Sequence, residues 1–176
     1  PMKRRAWLAL LVGAVPGAMP PLMGWTAATG ELTAPGLVLF GILFLWQIPH
    51  FIAISVFRER EYVRAGIKVL PAERGEAAAR WHAIAWAGAL VPVSLLLVPL
   101  GVAGTAYLVV TGAAGLVFFV MCVMGLRKST LAASAEDRGA ANRWARSVFV
   151  ASLLYVPAIF AALALDVVTG SIALGS

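Results

Sequence analysis

The segment from residue 57 to 71 and the residues just after it combine carboxylates with cations, which is the mixture best suited to chemistry in this chain. Half of the eight acidic residues lie between positions 58 and 82: Glu59, Glu61, Glu73 and Glu76. Carboxylates are oxygen ligands for Mg²⁺, which usually binds through one or two of them together with substrate phosphates. Arg and Lys neutralise phosphate oxygens. The segment therefore suits a diphosphate held with Mg²⁺, while composition alone equally permits a solvated loop with incidental ion pairs.

A second candidate is the pair Gln47 and His50, which stands within the otherwise apolar stretch from residue 36 to 57. Polar residues inside a membrane span are costly and favour a functional interpretation. His50 precedes Arg58 by eight residues, which places it about 12 Å along a helix from the charged segment. His50 is interpreted either as a cavity residue that touches a polar or metal-bearing substrate or as the partner in a hydrogen bond between helices.

The elements that must position these residues are predicted to be membrane-spanning helices. Of the 176 residues, 61% are apolar and 12% are charged, whereas a soluble domain has about 25% charged residues. A helix needs about 20 apolar residues to cross a bilayer. Five stretches meet this requirement and contain no Lys or Arg: 6–25, 36–57, 83–102, 105–126 and 147–168. They predict an all-α, polytopic transmembrane bundle that forms a single domain over residues 1–176, with loops at 58–82 and 127–146.

The distribution of charge predicts how this bundle is oriented. All 14 Lys and Arg residues fall on the face that carries the N-terminus and the two long loops, and Glu31 and Asp166 fall on the other. The positive-inside rule makes the basic face cytoplasmic. The net charge of +6 is therefore a topology signal, and no nucleic-acid partner is expected. A single cysteine and two histidines exclude a disulfide framework and a metal cage built from protein ligands alone.

Three strings of residues resemble the UbiA family of intramembrane prenyltransferases. The first string comprises Lys3, Arg4, Arg5, Gly13, Gly17, Ala18, Pro20, Pro21, Gly24 and Trp25. The second is Trp46, Gln47, Pro49, His50 and Phe51, and the third is Phe57, Arg58, Glu61, Tyr62, Ala65, Gly66, Leu70 and Pro71. The family commonly has Asp where this chain has Glu61, and often a second Asp where Arg60 stands.

The resemblance implies a nine-helix fold of which this chain is the C-terminal part, equivalent to helices five to nine. Members of the family carry a first Asn/Asp-rich motif after their second helix, and this chain lacks it. Nine spans with their loops need on the order of 270 residues. A fragment that is inactive alone is therefore expected.

The resemblance also implies a reaction and a role for each candidate residue. A farnesyl group would pass from farnesyl diphosphate to a vinyl group of heme B, which is a substrate, and water would complete the hydroxyethylfarnesyl group of heme O, with Mg²⁺ as cofactor. The departing diphosphate would be stabilised by Arg58, Arg64 and Lys68, with Tyr62 orienting an oxygen. Glu61, and less strongly Glu59, would bind the metal, and Gln47 and His50 would line the acceptor cavity, with His50 as a heme contact.

Location, partners and rival functions complete these expectations. The resemblance implies a multi-pass protein of the bacterial cytoplasmic membrane, with heme A synthase or cytochrome oxidase assembly proteins as partners. One alternative keeps the fold and changes the acceptor to a quinone precursor or a chlorophyll-type ring. Another is a transporter or structural membrane subunit, which would not need Mg²⁺-dependent binding of a prenyl diphosphate.

Overall fold

The computed structural model describes residues 6–126 and 135–169 and consists, over those residues, of helices joined by turns. The predicted all-α class is therefore confirmed. The helices are α1 (Ala6–Thr29), α2 (Ala34–Phe57), α3 (Glu59–Arg64), α4 (Leu70–Leu95), α5 (Thr105–Met124) and α6 (Ala135–Val168). Side chains are described for residues 10–126 and 138–169.

Three of the described helices are long and apolar enough to cross a membrane. They are α2, α5 and the part of α6 from Arg138 to Val168. The other two long helices of the described residues, α1 and α4, are not among these three. α1 contains three prolines, and α4 includes Arg80 and His82 in its first half.

The helix bounds differ from the prediction at both long connections. The loop predicted at 58–82 is helical over α3 and again from Leu70, with a non-helical kink at Gly75, whose φ is 81°. Val69 is extended, and Pro71 stands in the first turn of α4, where proline is tolerated. The loop predicted at 127–146 is helical from Ala135, while residues 127–134 lie outside the described residues. The third predicted span was placed at 83–102, but α4 ends at Leu95 and hydrogen-bonded turns follow it.

The second helix is the centre of the bundle, since α2 packs against α1, α4 and α6. Where α2 meets α6, the indole Nε1 of Trp46 donates a hydrogen bond to the Ser152 carbonyl oxygen at 2.7 Å. Where α2 meets α1, the Gln47 amide fills the space that Gly17 leaves, and a Cβ at Gly17 would collide with it. Polar contacts of this kind fix how neighbouring helices are rotated in an apolar environment, where they have no competing water.

A second polar junction joins α4, α5 and α6 through Ser94, which is fully buried. The Tyr107 hydroxyl donates to the Ser94 carbonyl oxygen at 2.9 Å, and the Tyr155 hydroxyl donates to the Ser94 hydroxyl oxygen at 2.8 Å. Tyr107 and Tyr155 are the two largest fully buried side chains of the described residues. Their hydroxyls therefore find partners inside the bundle, as buried polar groups must.

The end of the bundle opposite the charged segment is held by Asp166, which is 1% exposed although it is an acid. Its carboxylate accepts backbone N–H groups at the start of α5: Gly104 at 2.8 Å, Ala106 at 3.1 Å and Tyr107 at 2.9 Å. The first N–H groups of a helix have no partner within the helix and carry partial positive charge. Asp166 thus caps α5 from the last turns of α6.

We expect Asp166→Ala to lower the free energy of unfolding by about 2 kcal/mol, because it leaves the buried N–H group of Tyr107 and the half-buried N–H groups of Gly104 and Ala106 without an acceptor. Asp166→Asn, which keeps one acceptor oxygen, should lie between the wild type and the alanine variant. Denaturant titration of the protein in detergent micelles measures both effects. Equal stability of all three proteins would contradict the capping role.

Candidate functional site

A cavity of about 720 Å³ lies where the end of α2, all of α3, the first turns of α4 and the first turns of α6 meet. We call it the charged cavity because its lining contains seven ionisable side chains. They are Arg58, Arg60, Arg64 and Arg138 together with Glu59, Glu61 and Glu76. Apolar residues such as Val56 and Phe57 form its floor at the end of α2. The site therefore joins a polar mouth to an apolar bundle.

Turn-forming residues of the third string, Gly66 and Pro71, explain how α3 is placed at the charged cavity. Gly66 has a φ of 69° and follows the end of α3. Its N–H donates a hydrogen bond to the Val63 carbonyl oxygen, and the N–H of Ile67 donates to the Tyr62 carbonyl oxygen. This pair of bonds is a Schellman motif, in which glycine adopts the left-handed conformation without a Cβ penalty. Glycine thus stops α3, and Leu70 with Pro71 starts α4, so the short helix is held across the end of α2.

Arg58 and Glu61 form an ion pair at the mouth of the charged cavity. The Nη1 atom of Arg58 lies 2.5 Å from Oε1 of Glu61, and both side chains are more than half exposed. An exposed ion pair of this kind contributes little to stability, about 0.2–1 kcal/mol. Both charges are therefore accessible to a ligand that competes for either partner.

The predicted site residues fall into three groups in the structure: residues that line the charged cavity, residues beside it, and the pair Gln47 and His50 inside the bundle. Four of them line the charged cavity: Arg58, Glu59, Glu61 and Arg64. Two others from the same string, Tyr62 and Lys68, are not among the residues that line it. Lys68 instead pairs with Glu73 at 3.5 Å.

The carboxylates of the charged cavity are dispersed rather than gathered around one point. Glu59 and Glu61 stand two residues apart on α3, and side chains at that spacing point to different faces of a helix. Glu76 is paired with Arg80. Within the described residues, no group of three or more His, Cys, Asp or Glu side chains is placed to hold a metal ion. This donor set fits single carboxylate ligands to a Mg²⁺ that is otherwise bound by phosphate oxygens and water.

Gln47 and His50 form a separate site inside the bundle and do not line the charged cavity. Gln47 is 6% exposed, and its amide nitrogen donates to the Leu43 carbonyl oxygen at 3.1 Å. The His50 ring lies between Trp46 and Phe149, with ring centroids 4.9 Å away on each side. Its Nδ1 atom lies 2.7 Å from the Ser152 hydroxyl oxygen on α6. The hydrogen bond between helices expected as one interpretation of His50 is therefore present.

The partners of Ser152 favour one tautomer of His50. The Ser152 hydroxyl donates its only hydrogen to the Phe149 carbonyl oxygen at 2.6 Å. Its oxygen is then the acceptor toward His50, so Nδ1 carries the ring proton. In the neutral ring this leaves a lone pair on Nε2, which can accept a hydrogen bond or bind a metal.

Sequence reasoning missed Arg80, whose side chain is 4% exposed beneath the charged cavity. Its Nη1 atom donates to the Gly125 carbonyl oxygen at 2.8 Å, and its guanidinium lies 5.3 Å from the centre of the Trp144 ring. It also pairs with Glu76, which lines the cavity. The spacing of four residues between Glu76 and Arg80 was the available signal, since such residues are neighbours on a helix. Arg80 therefore ties the cavity wall to α5 and α6.

Comparison with known proteins places this geometry in context. The chain matches the UbiA prenyltransferase family over residues 1–145. It is 52% identical over 163 residues to the protoheme IX farnesyltransferase of Sorangium cellulosum, which covers 93% of this chain and 55% of that protein. It is also 52% identical over 163 residues to the protein of that name from Anaeromyxobacter sp., covering 93% of this chain and 51% of the relative.

A third relative, the protoheme IX farnesyltransferase of Myxococcus xanthus, is 45% identical over 166 residues, which is 94% of this chain and 53% of that protein. The chain thus spans about half the length of the curated relatives it matches. No solved structure matches it. Because the family match extends over residues 1–145, a range that contains every residue lining the charged cavity, this chain belongs to the UbiA prenyltransferase family.

Proposed function

We propose that the full-length protein containing this chain transfers a farnesyl group from farnesyl diphosphate to a vinyl group of heme B, where water adds to complete the hydroxyethylfarnesyl group of heme O, and that diphosphate is released. The observation that carries the proposal is the charged cavity, which combines phosphate-binding cations with carboxylates at the mouth of an apolar bundle. The names of the three relatives support heme as the acceptor. Heme A synthase and cytochrome oxidase assembly proteins are the partners that such a product implies.

Arg58 and Arg64 are proposed to bind the diphosphate of the farnesyl donor. Their guanidinium groups offer several N–H donors in a fixed plane, which suits phosphate oxygens. Negative charge grows on the diphosphate as its bond to the allylic carbon breaks, so cations placed there in advance lower the barrier. Lys68 and Tyr62, which stand beside the cavity rather than in its lining, take supporting roles in this proposal.

Glu61 is proposed as the carboxylate ligand of Mg²⁺, with Glu59 as the weaker candidate. The bound ion supplies positive charge to the diphosphate oxygens. Glu61 is positioned for this role by its exposure at the mouth, and its partner Arg58 can exchange the carboxylate for a phosphate oxygen. The remaining ligands are assigned to the substrate, to water and to the family's first acidic motif.

Gln47 and His50 are proposed to face the heme acceptor deeper in the membrane. His50 precedes Arg58 by eight residues on α2, which is about 12 Å along the helix axis. The two sites thus lie at different depths, as a reaction between a polar head and a membrane-embedded acceptor requires. The lone pair on Nε2 of His50 suits contact with the heme iron or with a polar group of the substrate.

Its apolar helices and its family make the protein an integral membrane protein. We propose that α1, α2, α4, α5 and α6 all cross the bilayer and correspond to the last five helices of a nine-helix fold. The charged cavity carries four arginines, and by the positive-inside rule this end faces the cytoplasm of a bacterial cell.

We expect Glu61→Gln in the full-length protein to lower Mg²⁺-dependent formation of heme O on the order of 100-fold, because the amide is a poor ligand for the ion. Product is measured by mass spectrometry over a range of Mg²⁺ concentrations. Glu31→Gln is the matched control, since Glu31 is exposed between α1 and α2 and lies outside the cavity lining. Wild-type turnover in the Glu61 variant would remove Glu61 from the metal site.

We expect Ser152→Ala to weaken heme binding about tenfold, because it releases the tautomer and the orientation of His50. Heme B is titrated into the full-length protein in nanodiscs, and the Soret band reports the environment of the iron. Ser147→Ala is the control, since Ser147 is an exposed serine on the same helix whose hydroxyl bonds only to the Arg143 carbonyl oxygen among the described residues. If the Ser152 variant binds heme with the affinity and the spectrum of the wild type, His50 does not contact the heme as proposed.

A further inference from the structure

The wall of the charged cavity opposite α3 is formed by the first turns of α6. Its contributions include Arg138, Ala141 and Asn142. These residues follow the spacing i, i+3 and i+4, so they share one face of the helix. Sequence analysis placed them in the cytoplasmic loop predicted at 127–146 and gave them no role.

The rotation of this part of α6 is fixed by the face that packs into the bundle. Trp144 is 8% exposed, and its indole nitrogen donates to the Met121 carbonyl oxygen at 3.0 Å. A Cβ on Gly125 would collide with the same indole ring, so α5 and α6 are in close contact there. Ala145 and Val148 are fully buried on the same side. The face that carries Arg138 and Asn142 is consequently held toward the cavity.

Arg138 differs from Arg58 in its electrostatic surroundings. Arg58 is paired with Glu61, and Arg80 beneath the cavity is paired with Glu76. Among the ion pairs of the described residues, none includes Arg138. The side chain is exposed at the cavity, so its charge is available to an anion without the breaking of a described ion pair.

We infer that Arg138 and Asn142 are binding residues for the diphosphate and hold it from the side opposite Arg58 and Arg64. The guanidinium of Arg138 donates to oxygens of one phosphate, and the Asn142 amide adds an uncharged N–H donor one helical turn further along. Cations on two walls then enclose the anion, and a neutral ligand gains nothing from them. The inference rests on the proposed function, since it assigns further residues to the same site.

The test measures binding of inorganic pyrophosphate with Mg²⁺ to the full-length protein in nanodiscs by isothermal titration calorimetry. We expect Arg138→Gln to weaken binding about tenfold and Asn142→Ala to weaken it severalfold. Arg143→Gln is the matched control, because Arg143 is exposed on the same helix but does not line the cavity. The control should bind as the wild type does, and thermal unfolding should be the same for all three variants.

The outcomes separate this inference from the proposed function. If Arg58→Gln loses pyrophosphate binding while Arg138→Gln keeps wild-type affinity, the role of α6 is overturned and the site at α3 stands. If Arg138→Gln and Arg143→Gln weaken binding equally, the effect is one of net charge and the inference fails. If the wild type does not bind pyrophosphate at all, both proposals are overturned.

Discussion

Polar groups inside this apolar bundle need hydrogen-bond partners, and the rest of the structure depends on those that find them on other helices. Lipid offers no competing hydrogen bonds, so an unpaired buried group costs several kcal/mol. The described bundle meets the constraint at three levels: Asp166 caps α5, Ser94 joins two tyrosines, and Ser152 accepts from both Trp46 and His50. Each junction connects different helices, so together they fix how neighbouring helices are placed and rotated.

The charged cavity follows from this arrangement. α2 ends where α6 begins, because Trp46 and His50 hold the two helices side by side. Arg80, which pairs with the cavity residue Glu76, then joins α4 to α5 and α6 through Gly125 and Trp144. The site is thus built from segments about 80 residues apart, and the helical scaffold positions them. A polar mouth over a packed apolar interior is the arrangement that a reaction between a diphosphate and a membrane-embedded acceptor requires.

The sequence predicted those parts of the structure that depend on local signals. Hydrophobic length predicted the helical class, but the loop predicted at 58–82 left out α3 and the first turns of α4, which Gly66 and Pro71 delimit. It did not predict the pairing of Asp166 with α5 or the burial of Arg80, because both depend on which distant backbone groups lack partners. The contribution of Arg138 was missed for a different reason. The helix that carries it, α6, begins in a segment whose polar composition is typical of a loop.

The central claim is that the charged cavity serves heme farnesylation, and the most direct test is to follow the product. The full-length protein is incubated with heme B, farnesyl diphosphate and Mg²⁺, and the hemes are identified by mass spectrometry. The account predicts heme O when all three components are present and none when Mg²⁺ is omitted. Prenylation of a quinone precursor in place of heme, or an absence of any Mg²⁺-dependent prenyl transfer, would contradict it.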